Sequence, residues 1–277
     1  RPLSDYAAKE ILHLQRPGDN TGKPYLFRNN HDGTFTNIAP GTGLFTTTFS
    51  MGGNFGDLNN DGFPDAYLGT GNISYKSVIP NKMFLNLGGK NFTDITSASR
   101  TGNLQKGHSV SIADLDNDGD KDIFIEVGGA FPGDAYQNAL YVNNLSAENN
   151  WISISLTGVS SNRSAIGTKL KITISENGTK RYIYQEVNSG GSFGSNPLRK
   201  ETGLASATII DSLEIKWPNN SVQVFTHIKS RQFIKITEGK KGFEKLNVKA
   251  LLFKNNKGNV IDCAPVAASN SRGKNPS

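Results

Sequence analysis

An internal repeat with a period of 57 residues limits what this chain can fold into more than any other feature of its sequence. The motif Phe27-Arg28-Asn29 returns as Phe84-Leu85-Asn86, and an acidic stretch at residues 57–62 returns at residues 114–119. A third pair of motifs, at residues 35–38 and 92–95, has the same offset. One offset shared by three separate motifs indicates a single supersecondary unit that is used more than once, as in solenoids and propellers.

Each repeat unit is predicted to consist of short β-strands joined by tight turns. The chain contains 30 glycines, and its Leu, Val and Ile residues stand in short clusters. Three or four short strands are the size of one propeller blade. We therefore predict an all-β fold with partial β-propeller blades, in which only residues 7–12 look helical. The predicted strands cover residues 66–68, 83–85, 91–93, 123–127 and 139–142.

The two acidic loops have the ligand pattern of calcium sites. Ca²⁺ takes about six to eight oxygen ligands, and each loop offers side-chain oxygens at positions 1, 3, 5 and 9 and a backbone carbonyl at position 7. A glycine at position 6, Gly62 or Gly119, permits the sharp reversal that folds these groups around one point. Carboxylates this close repel one another unless a cation neutralises them. The predicted ligands of about two calcium sites are Asp57, Asn59, Asp61, Phe63 and Asp65 in the first loop and Asp114, Asp116, Asp118, Asp120 and Asp122 in the second.

Other classes of acidic loop fit the sequence less well. An EF-hand needs a bidentate Glu at position 12 and flanking helices, but the chain has Leu68 and Ile125 there, both inside predicted strands. A dockerin needs helices and a much shorter repeat. The remaining alternative is a pair of Asp- and Asn-rich turns without metal, and two such loops in register make it the less favoured reading.

The repeat ends near Asn149, and a second module is predicted from there to residue 239. Ile152, Ile154 and Leu156 alternate with Ser and Thr, which is typical of a half-buried strand. Because this alternation recurs further along the chain, we predict a small antiparallel β-sandwich or barrel. The predicted division is residues 1–21, an N-terminal segment; 22–148, propeller repeats; 149–239, the second module; and 240–277, a basic tail.

Composition argues against several classes of protein. The net charge is +6, but the basic residues collect in the C-terminal part among Gly and Asn, without the aromatic pattern of a nucleic-acid site, so no nucleic acid is expected as a partner. The single cysteine, Cys263, rules out an internal disulfide framework and a cysteine-based zinc site. The sequence has no run of about 18 apolar residues, so no transmembrane segment is expected.

The first module resembles the FG-GAP/VCBS repeats of integrin-type β-propellers. The resemblance covers about residues 22–145 and rests on Phe55-Gly56 ahead of the first acidic loop, on the two loops themselves and on residues 128–132. It implies that the loops bind calcium, which rigidifies each blade, at the residues named above.

The second module resembles the ASPIC/UnbV domain, which follows FG-GAP repeats in the cartilage acidic protein family and in many bacterial surface proteins. The resemblance covers about residues 150–238 and rests on motifs at 162–170, 190–196 and 210–218, in that order. The stretch Glu201-Thr202-Gly203-Leu204-Ala205 departs from the family, where a His-Phe-Gly-Leu-Gly-like sequence is expected. The resemblance predicts architecture better than it predicts function.

Together these features predict a calcium-stabilised extracellular or cell-surface binding or adhesion module without enzymatic activity. Its ligand would be a protein or a glycan, and its location extracellular, cell-surface or periplasmic. The alternative is an accessory or catalytic part of a propeller-type polysaccharide-degrading enzyme, with His108 facing a propeller cavity. Two repeats and part of a third cannot close a propeller of about four or more blades. Either further blades precede Arg1, which we favour, or the second module caps an open stack of blades.

Overall fold

The computed structural model describes residues 22–71, 79–129, 136–143, 148–176, 178–253 and 258, and in these ranges the protein is almost entirely β-structure. The helix predicted at residues 7–12 lies outside the described residues. A single 3-10 turn, Ala39–Gly41, interrupts the strands of the described part. None of its helical segments is long and apolar enough to cross a membrane. The predicted all-β class is confirmed.

The repeat region forms a hairpin and two antiparallel sheets. The hairpin pairs β1 with β2, the first sheet has the order β3-β4-β5-β6, and the second has the order β7-β8-β9. The strands are β1 Phe27–Asn29, β2 Phe35–Asn37, β3 Ser50–Gly56, β4 Asp65–Thr70, β5 Lys82–Leu87, β6 Asn91–Asp94, β7 Gly107–Ala113, β8 Asp122–Val127 and β9 Ala139–Tyr141.

The strand positions confirm the repeat. Strands β7, β8 and β9 begin 57 residues after β3, β4 and β5, and the β1–β2 hairpin is the counterpart of the β5–β6 hairpin. The described residues therefore contain the outer hairpin of one blade, a complete four-stranded blade and three strands of the next. This is a propeller-like arrangement of successive blades.

Successive blades pack through glycines on β3. A side chain at Gly52 would overlap the carbonyl of His108, and one at Gly56 would overlap the side chain of Ile112. The two strands can approach only because these positions carry no Cβ atom. Behind them, Tyr67 and Ile125 are fully buried in the core that both sheets share.

The second module is a β-sandwich of two four-stranded sheets. One sheet has the order β13-β10-β16-β17 and the other has the order β12-β11-β14-β15. Its strands are β10 Asn150–Thr157, β11 Lys169–Glu176, β12 Thr179–Glu186, β13 Lys200–Ala205, β14 Ile209–Lys216, β15 Val222–Lys229, β16 Gln232–Thr237 and β17 Phe243–Leu246.

The structure corrects the sequence analysis of this module at two points. The sandwich is not purely antiparallel, because β10 pairs with β16 in parallel from Ile152↔Gln232 to Thr157↔Thr237. The strands β11, β12, β14 and β15 of the other sheet lie between β10 and β16 in the chain, together with β13 of the same sheet. The sheet also extends past residue 239, since β17 lies within the segment predicted as a tail and pairs with β16.

One apolar core lies between the two sheets of the sandwich. The alternating isoleucines of β10 and β11 point into it, among them Ile152, Ile154 and Ile172, all fully buried. Trp217 is also buried in this core, and its indole Nε1 donates a hydrogen bond of 2.7 Å to Gln223 Oε1, which satisfies its single polar group.

Candidate metal centre at the interface between the modules

The second acidic loop joins β7 to β8 and brings three carboxylates together. Ligand oxygens of Asp114, Asp116 and Asp118 all lie within 4.8 Å of one another. Oxygens that bind one Ca²⁺ at about 2.3–2.6 Å come equally close to each other. Asp114 and Asp116 are buried while Asp118 is exposed, so the cluster opens to solvent on the side of Asp118. The spacing of these donors fits a calcium ion.

Backbone amides hold these side chains in place. The amide of Asp118 donates to Asp114 Oδ1 at 3.1 Å and to Asp116 Oδ1 at 3.3 Å. The amide of Asp120 donates to Asp118 Oδ1 at 3.0 Å. Each carboxylate oxygen that accepts one such bond keeps a further lone pair for a cation. The loop therefore orients its oxygens without using up their capacity to bind metal.

The first loop, between β3 and β4, has the same backbone scaffold. The amide of Asp61 donates to Asp57 Oδ1 at 3.0 Å and to Asn59 Oδ1 at 3.1 Å, and the amide of Phe63 donates to Asp61 Oδ1 at 2.8 Å. Gly62, with φ of 86°, makes the left-handed reversal that Gly119 makes with φ of 102°. The two loops are therefore structural copies, as the repeat predicts.

The loops differ in the groups that they offer to a cation. In the first loop the position-3 residue is Asn59, whose amide nitrogen donates a hydrogen bond of 3.1 Å to Asp61 Oδ2. In the second loop the same position is Asp116, which has a carboxylate in place of the amide. The first loop therefore offers a cation one carboxylate fewer than the second loop. In addition, one carboxylate oxygen of Asp61 already accepts a hydrogen bond from Asn59 inside the loop.

The aspartates at position 9 tie each loop to the next strand. Asp65 accepts hydrogen bonds from the amides of Leu58 and Asn86, both at 2.8 Å. Asp122 accepts the equivalent bonds at 3.0 Å and 2.9 Å from residues exactly one repeat later in the chain. Asp122 is not part of the 4.8 Å cluster. Its structural role is to fix the loop, and its role as a metal ligand stays a prediction, as do those of Asp65 and of the Phe63 and Asp120 carbonyls.

Burial opposes the ionisation of the loop carboxylates. It raises the pKa of Asp65 and of Asp122 to about 7, although the backbone hydrogen bonds that each accepts act in the other direction. It raises the pKa of Asp114 to about 6, and it also raises the pKa of Asp57. Ionised carboxylates in these positions are costly, and a bound cation would relieve that cost.

Both loops are covered by the second module, a feature that the sequence analysis did not foresee. The amide of Gly203 donates to Asp57 Oδ2 at 3.0 Å, and the amide of Ala205 donates to the carbonyl of Asn60 at 2.9 Å. Arg181 Nη1 donates to the carbonyl of Asp61 at 2.8 Å. The first loop is thus a docking surface for strands β12 and β13.

The second loop contacts the same face of the second module. Arg199 Nη2 donates to the carbonyl of Asp114 at 2.9 Å and to Glu201 Oε1 at 2.7 Å. Glu201 in turn accepts a hydrogen bond from the amide of Asp114 at 3.1 Å. The indole of Trp151 lies directly against Gly119, where any side chain would overlap it.

Two hydrogen bonds join the loops to each other. Asn60 Nδ2 donates to the carbonyl of Gly119 at 2.9 Å, and the buried ammonium of Lys121 donates to the carbonyl of Asp57 at 2.9 Å. The loops, their blades and the second module therefore form one continuous polar interface. Only one feature of the sequence pointed to this interface. Residues 201–205 depart from the expected family pattern, and they form most of β13, the strand that docks on the first loop.

The glycine-rich segment at residues 190–196 also docks on the repeats. Ser192 forms an isolated antiparallel bridge with Gly53, and Asn196 Oδ1 accepts hydrogen bonds from Asn54 Nδ2 at 2.6 Å and from the amide of Ile112 at 2.9 Å. The segment therefore fixes the second module on strands β3 and β7.

A cleft of about 550 Å³ remains open where the two modules meet. One wall is β3 with the start of the first acidic loop, and the other is β12, β13 and the turn between them. The aromatic side chains Phe55, Tyr182 and Tyr184 line it together with the cations Arg181 and Lys200. Nothing in the sequence pattern pointed to this cleft, because its walls come from distant parts of the chain.

His108, which the enzymatic alternative used, lies on β7 and does not line this cleft. Its Nε2 atom is buried and has no hydrogen-bond partner among the described residues.

Comparison with known families matches both modules. A model of the FG-GAP-like repeat matches residues 11–68 and 72–125, and a model of the ASPIC and UnbV domain matches residues 158–242. Together the matches cover more than half of the chain and confirm the predicted order of the two modules. No curated protein matches the chain.

Among solved structures, the chain is similar to a protein from Bacteroides ovatus described as a "putative cell adhesion protein". The two share 9% sequence identity, and the match covers 82% of this chain and 95% of the other with a TM-score of 0.26.

Proposed function

This chain belongs to the FG-GAP-like repeat proteins that carry an ASPIC and UnbV domain, and we propose that it is a calcium-stabilised binding or adhesion module without enzymatic activity. The observation that carries the proposal is the convergence of the Asp114, Asp116 and Asp118 carboxylates within 4.8 Å. These ligands are all oxygens, which favours a hard cation such as calcium over zinc or copper.

Calcium in these loops would have a structural role. The loops carry the contacts of Gly203, Arg181 and Arg199 to the second module, so a cation that fixes the loops would also fix the module on the blades. Without a cation, ionised carboxylates would repel one another inside this interface. The metal would thus hold a rigid two-module scaffold on which a ligand can bind.

Such a scaffold suits a protein that acts outside the cytoplasm. Extracellular calcium modules work with dissociation constants of about 10⁻⁴ to 10⁻³ M, so millimolar calcium occupies about half or more of such sites. We therefore infer a secreted, cell-surface or periplasmic location, and a protein or glycan as the ligand.

Thermal unfolding with and without metal tests this proposal. We expect the melting temperature to fall in excess chelator and to recover on addition of millimolar Ca²⁺, because the cation binds only the folded loops. The variant Asp116→Asn should lose most of this response, while Asp32→Asn, at an exposed turn of the β1–β2 hairpin, should keep it. A melting temperature that is the same in chelator and in calcium would contradict the proposal.

A polysaccharide-degrading activity is the competing function, and it makes a separate prediction. If it were correct, the full chain would cleave uronic-acid polymers, and His108→Ala would abolish the cleavage. We expect no cleavage by either protein.

A further inference from the structure

The row of blades ends in an exposed apolar face on each side. Between neighbouring blades, one side of a sheet packs against the opposite side of the next sheet. In the contact between the two sheets, Tyr67 and Met83 come from the first sheet, and Ile123 and Ile125 come from the second. The repeat therefore predicts that the two outer sides of the row carry residues equivalent to these two partners.

The back face consists of Phe124 and Leu140 on the second sheet. They lie 57 residues after Tyr67 and Met83, and the two residues of each pair stand directly opposite each other on neighbouring strands. Tyr67 and Met83 are at most 2% exposed because the next blade covers them. Phe124, in contrast, is 38% exposed and Leu140 is 37% exposed. The second sheet thus presents to solvent the side that the first sheet buries.

The front face lies at the other end of the row and consists of Tyr25, Phe27 and Phe35. The register of the β1–β2 hairpin places Phe27 and Phe35 on one side of it. The ring of Tyr25 stacks on that of Phe27 with the centroids 5.8 Å apart. Each of the three rings is at least 60% exposed. Clusters of exposed apolar side chains mark interaction sites on soluble proteins.

The front face also has a buried counterpart one repeat later. Phe84 and Phe92 lie 57 residues after Phe27 and Phe35. Phe84 is fully buried, and Phe92 packs against the same cluster. Leu26, from the preceding blade, packs against that cluster as well. The residues equivalent to the front face are therefore covered by the blade before them.

The two exposed faces match as the two sides of one contact. Met83 on the first sheet and Tyr141 on the second pack into one cluster across the buried contact. Leu140 is the equivalent of Met83 one repeat later, and Phe27 is the equivalent of Tyr141 two repeats earlier. A back face brought against a front face would therefore repeat a contact that the molecule already makes, and it would remove exposed apolar surface from water.

We propose that the front face of one copy of this chain packs against the back face of a second copy, and that two such contacts close a ring. Each copy carries both faces, so a second copy supplies a partner for each. A contact between unlike faces forms a ring when the rotation between copies closes. The chain contributes to three blades, so two copies supply about six, within the range of about four to eight for propellers. This association goes beyond the proposed binding function and uses none of the predicted metal ligands.

Analytical ultracentrifugation of the unaltered full chain in millimolar Ca²⁺ is the first test. Over about 1–100 μM protein we expect a dimer with twice the mass of the chain. A chain that stays monomeric at about 100 μM would leave both faces to blades encoded before Arg1, and it overturns the proposal. An open series of larger species overturns the closed ring. Because this measurement uses the unaltered protein, it decides the matter even where a variant fails to fold.

Two variants then show whether unlike faces meet. Phe27→Ser alters the front face and Phe124→Ser alters the back face, and each should weaken the dimer about hundredfold. Mixed in equal amounts, the two variants should form a one-to-one complex, because the back face of one and the front face of the other are intact. Tyr184→Ser, at a residue 69% exposed on β12 of the second module, is the matched control and should dimerise like the unaltered chain.

The mixture separates this contact from other ways of forming a dimer. If like faces met, or if the second modules joined the copies, mixing Phe27→Ser with Phe124→Ser would restore nothing. That result, or a dimer that neither variant weakens, overturns the assignment of the faces. Recovery of the complex in the mixture alone, with the control unchanged, is the result that the proposal requires.

Discussion

The two acidic loops have the same backbone and different surroundings. In both, the amide at position 5 donates to the side chains at positions 1 and 3, and the aspartate at position 9 holds the following strand. The first loop, however, replaces one carboxylate with Asn59 and gives an oxygen of Asp57 to Gly203. The second loop keeps three converging carboxylates and opens to solvent at Asp118.

This difference indicates that the two copies of the motif have different main roles. The first loop is specialised as a docking surface, because the second module donates hydrogen bonds to its side chains and carbonyls. In the proposed function the second loop would be the stronger cation site, because three of its carboxylates lie within 4.8 Å of one another. Lys121 links them, since it lies in the second loop and donates to the carbonyl of Asp57 in the first.

The largest effect is expected when the docking surface is broken at Gly203. A side chain at this position would overlap the carboxylate of Asp57 and the backbone of Asn60. We expect Gly203→Ala to lower the free energy of unfolding by about 3 kcal/mol, as overpacking of a close contact does. Urea denaturation in saturating calcium measures this change. Gly242→Ala, where a Cβ meets nothing within 4 Å, is the control, and equal stabilities of the two variants would disprove the docking role.

The next effect concerns the charge of the second loop. Asp116→Asn gives this loop the same residue that the first loop has at position 3. We expect calcium affinity at the tighter site to fall about tenfold, because the cation loses a full charge among its ligands. Competition with a fluorescent calcium chelator measures the affinity. An unchanged affinity would show that Asp116 is not a ligand, whereas Asp32→Asn should leave the affinity as it is.

The reverse exchange should have a smaller effect. Asn59→Asp adds a carboxylate to the first loop and removes the hydrogen bond from Asn59 to Asp61. We expect calcium affinity at the weaker site to rise about threefold, with a lower melting temperature in chelator because of the added repulsion. The gain is limited because Asp57 stays bonded to Gly203. Loss of affinity at this site would mean that the first loop does not bind the ion through position 3.

The smallest expected effect is a pH dependence that calcium suppresses. Burial raises the pKa of Asp65 and Asp122 from 3.8 to about 7, so between those values the folded state binds more protons than the unfolded state. In chelator, the melting temperature should therefore fall as pH rises from about 5 to about 8. In saturating calcium the ion compensates the charge, and the fall should be absent. A rise across that window in chelator would refute this account of the carboxylates.

Local sequence patterns predicted the repeats and most of the strands. The shared offset of the Phe-x-Asn motifs and the acidic loops predicted β4 to β6, β8 and β9, because each of these strands follows a turn of its own. Alternating isoleucines at 152 and 154 predicted β10, since one face of that strand is buried in the sandwich. Such signals are short-range, and the structure confirms them.

What the sequence did not reveal depends on contacts between distant residues. The Asn54–Asn196 pair joins residues 142 positions apart, and the parallel pairing of β10 with β16 links the two ends of the module. Neither leaves a periodic pattern. The cleft and the coverage of the acidic loops by β13 follow from the same long-range docking. Residues 201–205 indicated this docking indirectly, because the sequence departs from the family pattern where β13 contacts the first loop.

Isothermal titration of the full chain with Ca²⁺ tests the central claim most directly. The account predicts two binding steps of unequal affinity, with the tighter step weakened about tenfold in Asp116→Asn and the weaker one unchanged. No heat of binding at millimolar calcium, or two steps that Asp116→Asn leaves unchanged, would contradict it.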